Sequence, residues 1–396
     1  MRKKTLACTL ALAIVAPGLA IAQESPPPMG ASILMWSPEQ QKSGYKSMEK
    51  LTAHKVVKRG ADVFALPPGQ PIDAKVSIPI GGKRLTLDEY MTAYRVSGLL
   101  VIKDGKVVLE RYGLDRTAQD RWTSFSVAKS VTSTLVGAAI KDGYIKSLDE
   151  PVTTYIPELK GGGYDGVTVG QLITMTSGVR WNEDYTDLNS DVAKVGLSAG
   201  EPGVNPVVSY MRKLPRESTP GTRFHYSTGE TDLVGVLVSN AVGKPLSTYL
   251  SEKIWAPFGM EQDAIWVEDV AGHERGGCCM SMTLRDYGRV GMFMLGGGKA
   301  GGRDVLPPGW VQQATTSRIA VDPNDPKRGG YGYFWWINPA GDAYEALGIF
   351  GQAITTFPKD KLVIAINSAW PEADTDELNA ARDALTAAIR EAARTR

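Results

Sequence analysis

The sequence predicts an α+β protein: an antiparallel sheet shared by the two ends of the chain, helices against it, and a mostly helical stretch inserted between. Three observations carry this. Residues 98–113, "GLLVIKDGKVVLERYG", are two apolar runs around Asp104-Gly105, a hairpin signal. The chain from about 144 to 300 reads as helices and loops. Strand-like segments rich in β-branched and aromatic residues then return at 331–338, 343–357 and 361–369. At 396 residues the chain has room for two subdomains.

The first element stands apart from the fold. Arg2, Lys3 and Lys4 precede an apolar run, and "AIA" at 20–22 is a small-x-small cleavage pattern before Gln23. Residues 1–22 therefore read as a secretory signal peptide, and Pro17 and Gly18 interrupt a run already short for a membrane span. The mature protein is expected to be exported, periplasmic or secreted, with no remaining span. Lys and Arg number 44 against 43 Asp and Glu; without Arg2, Lys3 and Lys4 the balance is 41 against 43, a formal net of −2. That offers no electrostatic basis for nucleic acid or an anionic membrane as partner. Cys8 leaves with the leader. Cys278 and Cys279 are adjacent and cannot join distant segments, so there is no disulfide framework. His54, His225 and His273 are scattered, with no metal-binding spacing.

Residues 23–95 read as a polar, Pro-rich N-terminal extension, and 96–390 as the main domain, with the helical insertion at roughly 144–285. After the hairpin, Val127, Val131, Leu135, Ala138 and Ala139 repeat at helical spacing and predict a helix over 125–142, stopped by Gly143. "VTVGQLITMTSGV" predicts a short helix ended by Gly178. "TGETDLVGVLVSNAVGKP" predicts another, with Thr228 as its cap and Gly243 at its end. "PKDK" turns between the last two strands, and the closing segment from Thr375 is a helix, acidic first and basic last.

The chemistry concentrates in "SFSVAKS", residues 124–130. S-x-x-K occurs three times. Ser43/Lys46 and Ser47/Lys50 lie in a polar stretch that reads as solvated surface, whereas Ser126/Lys129 opens an apolar helix. There the free N–H groups and the helix dipole favour negative charge, and the two side chains share one face. Ser126 then suits a nucleophile whose own N–H stabilises an oxyanion, and Lys129 suits its base if burial keeps the amine neutral. "GLSAG" at 196–200 has the spacing of a nucleophile elbow around Ser198, but Pro202 and Pro206 end any helix after it. "GGGKAGG" at 296–302 lacks the Ser or Thr and the frame of a phosphate loop.

The ordered blocks "GLLVIKDGKVVLERY", "SFSVAKS", "KSLDEPVTTYIPEL", "VTVGQLITMTSGVRWNEDY", "PGTRFHYSTGETDLVG", "MTLRDYGRVG" and "GIFGQAITTFP" resemble the penicillin-recognising serine hydrolases, most of all the 6-aminohexanoate-dimer hydrolase type. The resemblance runs from about 95 to 370. It implies a five-stranded antiparallel sheet flanked by helices, with the site between sheet and helical region. It places Tyr226 of Tyr226-Ser227-Thr228 as proton shuttle, with Thr228 at the asparagine of the family's second element. No Lys or His stands on the strand around Gly348, where the family's third element falls; "GIFGQ" instead matches the dimer-hydrolase form, in which the Ile349 N–H joins that of Ser126 as oxyanion donor. Trp181 and Tyr185 match a loop that covers substrate. Trp335, Trp336 and Phe350 receive no role.

The expectation is a serine hydrolase that cleaves small amides or esters through an acyl-enzyme, with no metal or organic cofactor. The alternatives are a β-lactamase or D-Ala-D-Ala carboxypeptidase, or a non-catalytic binder of cell-wall peptides. The physiological substrate and the oligomeric state are left open.

Overall fold

The computed structural model describes residues 32–394, so the predicted leader lies outside the described residues. In chain order the elements that matter for the site are β1 (His54–Val57), β2 (Val96–Lys103), β3 (Lys106–Tyr112), β4 (Arg121–Thr123) and α1 (Val127–Lys141). Then come α2 (Thr228–Val242), β5 (Ala264–Val267), β6 (Met280–Thr283) and α3 (Leu284–Leu295). Strands β7 (Ile319–Ala320), β8 (Gly330–Tyr331), β9 (Trp336–Ile337), β10 (Tyr344–Gly348), β11 (Gln352–Phe357) and β12 (Leu362–Ser368) follow, and α4 (Asp376–Arg394) closes the chain.

The main sheet joins both ends of the chain, as predicted, in the order β7-β8-β9-β10-β11-β12-β2-β3, and every pairing is antiparallel. Eight strands replace the expected five: five of them are long, and β7, β8 and β9 are two-residue additions at one edge. The predicted strand at 331–338 is split, because Phe334 adopts a left-handed φ of 57° between β8 and β9. A second sheet, β1-β5-β6-β4, was not anticipated.

Period-two alternation explains how the main sheet packs. Leu99 and Val101 of β2, with Ile364 and Ile366 of β12, meet Leu385 and Ile389 of α4. Their neighbours Leu100, Ile102, Val363 and Ala365 point the other way, to Leu284 and Tyr287 of α3 and the apolar side of α1. The sheet is thus covered on both faces. On the inner side, α1 is buried along residues 127–139, wedged between the sheet and the helical region around α2. This sets the environment of Lys129.

Three local readings shift. The helix predicted up to Gly178 ends at Ile173, capped by Thr168. Ser126 is the residue just before α1 rather than within its first turn. The cap of α2 is Ser227, whose hydroxyl accepts from the Glu230 N–H, so the Thr228 side chain is free for other bonds. Parts of residues 32–95 pack onto the rest of the chain: Tyr45, from the stretch read as solvated, is 0% exposed and lies against Trp122, Phe125 and Phe350. No described helix is long and apolar enough to cross a membrane.

Candidate active site between the sheet and the helical region

Lys129 sits one turn into α1 and is 1% exposed. Its Nζ lies 2.9 Å from Ser126 Oγ, 2.9 Å from Thr228 Oγ1 and 2.9 Å from the Gly277 carbonyl. A neutral amine has two N–H donors and one lone pair. Donating to Thr228 and Gly277 leaves that lone pair for the Ser126 hydroxyl proton. Burial pulls Lys129 down to about 8; the charges of Glu183 and Asp232 oppose this, and Arg275 adds to it.

Tyr226 enters from the segment before α2. Its ring faces the Lys129 Nζ at 5.2 Å and stacks on Trp336 at 5.5 Å. Burial raises its phenol well above the usual range, and the Glu183 charge adds to this, against a hydrogen-bonding influence of Ser126. Of the two groups beside Ser126, the lysine therefore loses its proton at far lower pH, and the phenol remains a proton donor.

The predicted oxyanion donors come from two turns. Ser126 follows Phe125, at φ 42°, and Ile349 precedes Phe350, at φ 59°. Ile349 stands in the β10–β11 hairpin turn rather than on the strand. Among the described residues, neither N–H is taken up by the backbone of a neighbouring turn. Both phenylalanines occupy a left-handed region that costs a non-glycine residue on the order of 1–2 kcal/mol. Their rings pack at 5.2 Å, and Tyr45 closes the group at 5.1 and 5.9 Å. This cluster holds the two turns together. Gly348 permits the approach: a Cβ there would sit 2.6 Å from the Ser124 carbonyl and 3.1 Å from the Ser126 nitrogen.

Glu183 is the residue the sequence reading passed over. It lies between the two aromatics singled out in "RWNEDY". Its carboxylate accepts from the Thr228 N–H at 2.9 Å, the Tyr185 hydroxyl at 2.9 Å, the Thr228 hydroxyl and the Trp181 indole N–H. One carboxylate thus ties the loop to the residue that holds Lys129. The signal available was one of two adjacent acids, Glu183 and Asp184, inside an aromatic loop, which spacing alone does not separate from surface charge.

The structure brings Ser126, Lys129, Tyr226 and Thr228 together and sets Ile349 beside Ser126 on one cleft of about 930 Å³. It separates the two loop aromatics. Tyr185 lines the cleft, whereas Trp181 is 5% exposed and packs into the core. Thr228, expected to contact substrate, is buried and bonded to Lys129 and Glu183. Leu34 and Met35 from the N-terminal segment also border the cleft, as does Trp336.

A family model described as Beta-lactamase matches residues 84–388. The chain belongs to the β-lactamase family. It is 33% identical over 329 residues to the 6-aminohexanoate-dimer hydrolase of Paenarthrobacter ureafaciens, covering 80% of this chain and 83% of that one. A β-lactamase of Pseudomonas fluorescens is 25% identical over 215 residues, 52% of this chain and 54% of its own. Among solved structures, a Bacillus anthracis protein provisionally named a 6-aminohexanoate-dimer hydrolase superposes with a TM-score of 0.80 at 24% identity, over 89% of this chain and 94% of its own. A family VIII carboxylesterase gives 0.58 at 15%, over 84% and 100%. Those two structural likenesses show the fold. The family match and the 33% identical relative make this chain a β-lactamase-related serine hydrolase.

Proposed function

We propose that the protein hydrolyses amide or ester bonds of small substrates through an acyl-enzyme on Ser126. The observation that supports this most is the 2.9 Å contact between Ser126 Oγ and the buried Lys129 amine at the start of α1. Ser126 Oγ attacks the carbonyl carbon while Lys129 takes its proton. The N–H groups of Ser126 and Ile349 hold the negative oxygen of the tetrahedral intermediate. On collapse the bond to the amine or alcohol breaks, and Tyr226 gives the leaving group its proton, replaced from Lys129. Water then attacks the acyl carbon, its proton passes to the same groups, and the acid product leaves with Ser126 restored.

Charge along the cleft bears on the substrate. Its lining carries eight carboxylates, among them Glu183, Asp184 and Asp374, against Lys327, Arg328 and Arg382. Such a field favours neutral or cationic substrates over the carboxylates of β-lactams and cell-wall peptides. With no lysine on β10, this argues for amidase or esterase activity over penicillin chemistry.

The test is a panel of nitrophenyl esters, short amides and a chromogenic cephalosporin, run on purified protein and its Ser126→Ala variant. Turnover of the esters or amides should fall on the order of 10⁴-fold in the variant. A fluorophosphonate should label Ser126 in the native chain. Unchanged turnover in the variant, or failure to label, overturns the proposal. For the proposed export, sequencing of the mature N-terminus should begin at Gln23; an intact Met1 refutes it.

A further inference from the structure

The segment 275–280 runs behind Lys129 and touches the site through backbone alone. Gly277 offers its carbonyl to Lys129 Nζ at 2.9 Å, and the Gly276 carbonyl accepts from Thr132 Oγ1 at 2.7 Å. Both contacts reach side chains of α1. The segment lies so close to α2 that a Cβ on Gly276 would stand 2.5 Å from the Thr231 carbonyl, and one on Gly277 2.8 Å from that of Thr228. Its orientation is fixed from α2 by one side chain. Asp232 is 1% exposed and accepts from the Gly277 N–H at 2.8 Å through Oδ1. Its Oδ2 accepts from Arg275 Nη2 at 2.9 Å, so the ion pair closes a ring within the same short segment.

The peptide unit whose N–H Asp232 holds turns its own carbonyl, that of Gly276, the opposite way to Thr132 on α1, and the residue so anchored, Gly277, presents the carbonyl of the next unit to Lys129. The same carboxylate and guanidinium are the fixed charges on that side of the amine. We propose that Asp232 and Arg275 are a positioning pair for Lys129: they seat the Gly277 carbonyl against its amine and set the charge that the amine feels. This rests on the reading of Lys129 as the base, and adds that its strength is tuned from behind the site. The charged and titratable groups facing Lys129 are Glu183 from the loop, Tyr226, Asp232 from α2, and Arg275. Glu183 and Tyr226 approach from the cleft, so substrate meets them; Asp232 and Arg275 do not line the cleft. Charge changes at this pair therefore act on Lys129 without removing a substrate contact.

The experiment is the pH profile of kcat/KM for an ester turned over by the native protein, beside Asp232→Asn, Arg275→Gln and the double variant. Removing the negative charge favours the neutral amine, so the acid limb should move down by about one pH unit in Asp232→Asn. Removing the positive charge should move the limb upward in Arg275→Gln, and the double variant should return toward the native profile. Opposite shifts are the signature; a purely structural pair would lower Tm in all three variants and leave the limb in place, which overturns the proposal. If Asp232→Asn does not fold, the upward shift of Arg275→Gln and its reversal in the double variant carry the same test, and absence of either is refutation. A dead Ser126→Ala variant beside unmoved limbs would sink this inference alone. An active Ser126→Ala variant would sink the reading beneath it.

Discussion

The main sheet and the seam between α1 and α2 are both buried, yet they follow opposite rules. In the sheet, Leu99, Val101, Ile364 and Ile366 fill one face and Leu100, Ile102, Val363 and Ala365 the other, so burial and apolar character coincide. In the seam, Lys129, Glu230 and Asp232 are buried at 1–2% exposure, and the hydroxyls of Ser130 and Thr132 bond to the Phe334 and Gly276 carbonyls. Burial disfavours the charged forms of Lys129 and Glu230, whereas Asp232 is paired with Arg275. The sheet supplies stability, and the seam spends part of it to hold ionisable groups away from water.

That contrast can be broken most directly at Glu230. Burial pushes its carboxyl up to about 8, against the bond from Ser177 Oγ. The folded chain holds this proton more tightly than the unfolded one, so the native protein should lose stability as pH rises from about 4.5 to 8, by up to about 5 kcal/mol. Glu230→Gln should flatten that decline in a denaturation series at pH 5 and pH 8. A parallel decline in both proteins would show that the carboxyl is not protonated in the fold.

Ile364→Ala tests the other side. A cavity under α4 should cost about 2–5 kcal/mol. Activity per folded molecule should stay near the native level, since Ile364 faces α4 and not the cleft. A matching fall in kcat at a temperature where the variant is fully folded would join the two regions.

The third test is at Lys129. Burial disfavours its ammonium in the fold, bringing it from the ordinary 10.5 down to about 8, so the native chain gains stability as pH rises through that window. The difference in stability between Lys129→Met and the native chain should therefore shift by about 3 kcal/mol in favour of the native chain between those pH values. A constant difference across pH 8 to 10.5 would mean the amine is solvated.

Much of this architecture was legible because it is local. The Asp104-Gly105 hairpin, with φ of 50° and 75° at those two residues, and the closing helix follow from turn chemistry and periodicity over a few residues. Three features escaped the local pattern because a tertiary contact decided them. Tyr45 lies in a stretch rich in polar and charged residues yet packs on Phe125 and Phe350, the residues that flank Ser126 and Ile349. Glu183 carries no motif, and its role exists only through Thr228, 45 positions away. The Thr228 hydroxyl was free to serve Lys129 only because Ser227 took the cap.

Sequence alone determined which residues lie on which face: Ser126, just before α1, and Lys129, within it, share a side because three positions make nearly a turn. It also set which stretches could pair as antiparallel strands. What surrounds the amine was decided by the tertiary structure, since Thr228 and Gly277 come from 99 and 148 positions away. Periodicity specifies a face but not its partner. The partner is set by how sheet and helical region pack around α1, and that packing removes the water whose absence gives Lys129 its chemistry.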